Sequence, residues 1–119
     1  MFASPTVQDV VSALKQLETI SRPEGDNEGE AINSPDIYGC LSTEQQEMVD
    51  VAVELTQQYV RQAGDFGDEP NKRAITNLNK KGYRTILQPD QYDPSLLVGD
   101  VTLGPWRLDI SDVPAGNID

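Results

Sequence analysis

The sequence predicts an α+β fold in a single domain, with three helices followed by a small antiparallel sheet of two to three strands. Two observations carry this. Up to about residue 81, apolar residues recur every three or four positions, the period of a helix with one buried face. Beyond Gly82 the period falls to two: Trp106, Leu108 and Ile110 alternate with Arg107, Asp109 and Ser111. With 119 residues the chain can bury one modest core, and its 37% apolar content leaves part of it outside that core.

The first helix is expected over residues 5–20. Ser4 offers a cap, and Pro5 sits at the first helical position, where its missing donor costs nothing. Val7, Val10, Val11, Leu14, Leu17 and Ile20 form one stripe, which is expected to pack on the central helix.

Residues 22–36 read as a mobile acidic loop, because prolines, glycines and carboxylates leave too little apolar surface to offset the entropy of ordering. Glu24 to Glu30 alternate acids and carry a glycine sixth, as in a calcium loop, but the twelfth position is Pro35 where a glutamate is needed. Ile37, Tyr38 and Leu41 then lead into the central helix, with Leu41 where a hydrophobic staple would stand.

That helix, over residues 43–63, is the strongest local signal. Ser42 and Gln45 form a capping box, in which each side chain satisfies the other residue's amide. Met48, Val49, Ala52, Val53, Leu55, Tyr59, Val60 and Ala63 lie on its apolar face, and Gly64 can close it in the left-handed conformation. The Asp65-Phe66-Gly67 triplet matches the kinase magnesium motif, yet the companion loops of that fold are absent, and Phe66 is expected to pack between helices.

A third helix is expected over residues 69–81. Glu69-Pro70 begins it, Ala74, Ile75 and Leu78 face inward, and Gly82 ends it. Strands follow over residues 83–87, 96–103 and 106–111, with Gly99-Asp100 as a bulge or tight turn. Residues 113–119 read as a frayed tail.

The chain contains no histidine, so imidazole catalysis, histidine-activated nucleophiles and histidine-ligated zinc are excluded. Neither phosphate-cradling glycine motif occurs. No catalytic, cofactor-binding or metal-binding residue is expected, and the protein is read as non-enzymatic. The single cysteine, Cys40, cannot form an internal disulfide and is expected to fill apolar space. No signal-peptide pattern opens the chain, and no apolar run approaches the roughly 18–20 residues of a membrane span. A cytoplasmic location follows as the expectation.

Charge is the most informative feature. Twenty acids against nine bases give a formal charge of -11. Residues 23–60 carry nine acids and no base, whereas residues 70–89 carry five bases and no acid. The plain expectation is internal compensation, with the basic segment lying against the acidic helix. Beyond it stand two functional readings. In the first, Glu44, Glu47, Asp50 and Glu54 present carboxylates to a basic protein partner, as inhibitors, adaptors and immunity-type proteins do. In the second, the helix pair with strands behind it resembles a winged-helix arrangement in outline, and Lys72, Arg73, Asn77 and Lys80 face DNA. Five bases on so acidic a chain make a weak phosphate footprint, so the first reading is preferred. Trp106, Tyr83 and Tyr92 are candidates for an aromatic contact patch, with core packing the expectation for Trp106.

Overall fold

A computed structural model describes residues 5–22, 30–63, 72–93 and 96–111. The fold is α+β: among the described residues, four helices precede a three-stranded antiparallel sheet. The helices are α1 (Val7–Glu18), α2 (Pro35–Tyr38), α3 (Thr43–Ala63) and α4 (Lys72–Lys80). The strands β1 (Arg84–Pro89), β2 (Leu97–Leu103) and β3 (Trp106–Asp109) pair in sequence order.

Helix α1 starts two residues later than the Ser4-Pro5 signal implies. Its cap is Thr6, whose hydroxyl accepts from the Asp9 amide at 3.2 Å while the Asp9 carboxylate accepts from the Thr6 amide at 2.8 Å. A second capping box starts α3, where Ser42 and Gln45 exchange bonds of 3.0 and 3.2 Å. The expected staple does not form. The residue that would answer Leu41 is Gln46, whose amide instead donates to the Tyr38 carbonyl at 2.9 Å.

Helix α1 packs along α3, and α4 bridges α3 to β1. Val10, Leu14 and Leu17 of α1 are sealed against Val49, Ala52 and Val60 of α3. Helix α4 ends in a Schellman motif: Gly82 donates to Asn79 and Tyr83 donates back to Leu78, each at 3.0 Å. Gly82 has φ of 93°, which a side chain would strain, and the flanking Leu78 and Tyr83 are both buried.

The chain turns straight into the sheet from that motif. Leu97, Val101, Leu103, Trp106 and Leu108 face the helices, while Arg84, Ile86, Thr102 and Arg107 stay exposed. Gly99-Asp100 does not break β2. Every residue from Arg84 to Pro89 has its partner from Thr102 to Leu97, so the register skips nothing. Gly99 is required for a different reason. Its φ is 146°, and a Cβ there would collide with the Ile86 carbonyl oxygen and lie 2.8 Å from the Leu87 Cα.

Part of the expected loop over residues 22–36 is docked. Ala31 bridges to Arg107 in parallel, and Ile32, fully buried, donates to the Arg107 carbonyl at 2.8 Å. The Asn33 side chain then pairs with the Asp109 backbone, donating at 2.9 Å and accepting at 3.0 Å. Residues 31–33 therefore close the outer edge of β3. On the opposite edge, the Thr85 amide donates to the Asn79 side chain at 3.0 Å. The calcium-like stretch, the Asp65-Phe66-Gly67 triplet, the start expected for the third helix and the tail over residues 113–119 lie outside the described residues.

Two aromatic residues expected as contact candidates are structural. Trp106 is 1% exposed, and its indole donates to the Ile20 carbonyl at 2.8 Å. Tyr83 is buried, and its hydroxyl donates to Glu18 at 2.7 Å. Burial, that hydrogen bond and the charge of Glu18 push the Tyr83 pKa from its ordinary 10.0 up to about 12.

Two outcomes test this packing. Gly99→Ala should cost about 2 kcal/mol or more, while Glu54→Ala on the exposed face of α3 should cost less than about 1 kcal/mol. Equal shifts in thermal unfolding would contradict the sheet register. For Tyr83, a pKa raised on folding means the unfolded chain loses the proton first as pH climbs. Its contribution is fully present below pH 10 and is lost as pH rises through about 12. The stability difference between wild type and Tyr83→Phe should therefore shift against the wild type across that window, and a constant difference would refute the buried Tyr83–Glu18 bond.

Candidate functional site

Glu44, Glu47, Asp50 and Glu54 fall three, three and four residues apart on α3, so the helical repeat places them on one side. All four are exposed. The apolar stripe of α3 is turned into the core and fixes the rotation of the helix, so the carboxylates are left facing water.

The one-turn helix α2 lies against this face. Pro35 at its start presets the backbone, and Ile37, 4% exposed, anchors it in the core. Tyr38 reaches across to α3, its hydroxyl lying 2.9 and 3.0 Å from the two Asp50 oxygens. The bond to Asp50, with lesser contributions from burial and from the carboxylate's charge, raises the Tyr38 pKa above its ordinary value. Between Tyr38, Asn33 and α3 runs an open groove of about 350 Å³. Val49 and Val53 form its apolar floor, and Asp50, Glu54 and Gln57 line its α3 wall.

The basic segment does not neutralise this face by direct pairing. Among the described residues, Arg73, Lys80, Lys81 and Arg84 are exposed and form no ion pair with the four carboxylates. Lys72 is exposed as well and carries an interaction of its own. Helix α4 packs on α3, as internal compensation requires, without contact ion pairs from these four bases to the α3 carboxylates. Helix α4 faces α3 with Ala74, Leu78 and the amide of Asn77, which donates to the Tyr59 hydroxyl at 2.8 Å.

That bond also revises the DNA-facing set. Lys72, Arg73 and Lys80 share the outer side of α4, but the Asn77 amide is committed to the helix interface. Of the aromatic candidates, Tyr92 alone is at the surface, at 88% exposure. Cys40, expected as a filler of apolar space, is exposed. It follows the end of α2, whose existence the sequence pattern did not reveal.

Among the described residues, no three carboxylate or thiol side chains converge on a point that could hold a metal ion. No helix among them is long and apolar enough to cross a membrane. The groove residues missed by sequence reasoning are Asn33, Tyr38, Val53 and Gln57. The signal available was Tyr38, an aromatic just ahead of an acidic helix, but nothing local shows that it meets Asp50 twelve residues later. No family model, curated protein or solved structure matches this chain.

Proposed function

We propose that this protein is a small, non-enzymatic interaction protein of the cytoplasm, of the inhibitor, adaptor or immunity type, whose α3 face engages a basic protein partner. The observation that carries this reading is the row of four exposed carboxylates on a helix whose rotation the core fixes. Such a face attracts a positively charged surface over a distance of about a Debye length and sets its register on contact. The formal charge of -11 adds to the attraction and opposes nonspecific association with nucleic acid or anionic lipid.

The rest of the chemistry is consistent with a binding role. The sequence holds no histidine and a single cysteine. The two perturbed tyrosine hydroxyls, Tyr38 and Tyr83, are shifted upward, away from the range useful to a general base near neutral pH.

Replacing Glu44, Glu47, Asp50 and Glu54 by their amides should abolish binding to a partner drawn from a panel of basic proteins. The helical circular-dichroism signal should persist, since these side chains lie off the apolar stripe. Arg73→Ala with Lys80→Ala should leave that binding unchanged or slightly stronger. If instead the wild type binds duplex DNA below about micromolar at physiological salt, and the Arg73/Lys80 variant loses it with a shallower salt dependence, the winged-helix alternative replaces this reading.

A further inference from the structure

We infer that the groove between α2 and α3 is a socket for one arginine side chain of the basic partner, an inference that rests on the function proposed above. The argument is an account of donors and acceptors. Each lining side chain that can donate already spends a donor inside the protein. The Tyr38 hydroxyl is held by Asp50, the Asn33 amide donates to the Asp109 carbonyl, and the Gln57 amide donates to the Ser111 carbonyl at 3.3 Å. What the groove offers is acceptors: the carboxylates of Asp50 and Glu54 and the Gln57 Oε1, none of them paired with a base among the described residues.

The unpaired carboxylates therefore favour a ligand rich in donors. Guanidinium has five N–H donors and no acceptor, and its planar fork suits acceptors distributed around a wall. Ammonium is a compact and more strongly hydrated point charge, less suited to a spread of acceptors. The floor supplies the other half of the match. Val53, half-buried, offers apolar surface to a methylene stem above the buried Val49, which is how long cationic side chains bury their carbons while the charge stays among polar groups. Glu44 and Glu47 are not among the residues lining the groove. They contribute attraction from outside it.

The probe is a blocked tetra-arginine peptide, compared with its citrulline and lysine counterparts and titrated into the full chain while the Val49 and Val53 methyl signals are followed by NMR. Both methyl signals should move with the arginine peptide, and the neutral citrulline peptide should bind at least about tenfold more weakly. Asp50→Asn and Glu54→Gln should each weaken the arginine peptide by about tenfold, and Glu44→Gln and Glu47→Gln by no more than about twofold. An unchanged helical circular-dichroism signal in each variant serves as the folding control.

Equal weakening by all four acid-to-amide changes, still methyl signals, or lysine binding as tightly as arginine would overturn the socket and leave the acidic-face reading standing. Absence of any effect from all four would overturn both. A peptide that fails to bind at millimolar concentration overturns the socket, and the titration against basic proteins then decides the function separately.

Discussion

The indole of Trp106 ties the two ends of the described chain together. Its N–H bonds to the Ile20 carbonyl across 86 residues of sequence, just beyond the end of α1. The Arg22 guanidinium lies 4.4 Å from the ring centre and donates to the Pro105 carbonyl at 2.6 Å in the turn before it. Glu18 completes the clamp by accepting from Tyr83. The β2–β3 hairpin is thereby locked to the C-terminal end of α1, and everything else is positioned from that joint. Because α1 packs along α3, the clamp indirectly fixes which way the acidic face of α3 points. A cation stacked on a buried ring and a satisfied indole donor also explain why so polar a cluster can sit beside the core without loss.

Most of the architecture was legible because it is written in local spacing. The Ser42–Gln45 box, the stripe of α3 and the alternation through Trp106, Leu108 and Ile110 each need only a few neighbouring residues to be read. What escaped was written at long range. Nothing near Asn33 announces that its amide will take the place of a strand partner for Asp109, 76 residues away. The same is true of Asn77, which looks like a solvent-facing polar residue until Tyr59 is placed beside it. Thr6 was overlooked as a cap because Ser4-Pro5 also carries a valid start signal, and local chemistry alone does not choose between two adjacent caps. The acidic face was legible as charges on a helix. The groove beside it was not, since its other wall comes from a one-turn helix whose stability depends on the burial of Ile37 rather than on propensity.

The division of charge also has a physical logic. Pairing exposed bases with exposed acids contributes little to stability in water, about 0–1 kcal/mol per pair, so the fold has little to gain by neutralising α3 with α4. The two helices instead meet through small and apolar groups with one side-chain hydrogen bond, Asn77 to Tyr59. Glu44, Glu47, Arg73 and Lys80 stay exposed to solvent. The same argument separates the roles of Asp50 and Glu44: one is held in a defined geometry by Tyr38, and the other projects into water at the start of α3.

A three-stranded sheet has two edges, and an edge normally invites another chain to extend it. Here Asn33 occupies the hydrogen-bonding groups of Asp109 on one side. On the other, Asn79 takes the Thr85 amide, and Pro89 has no amide to offer. Residues 31–33 cover the β3 edge, and Asn79 and Pro89 interrupt the β1 edge, even though Ile86 stands 53% exposed on that strand. Both edges thus depend in part on an asparagine side chain. Loss of Asn79 would release the Thr85 amide on the β1 edge, and at high ionic strength charge repulsion would no longer keep a second strand from pairing with it.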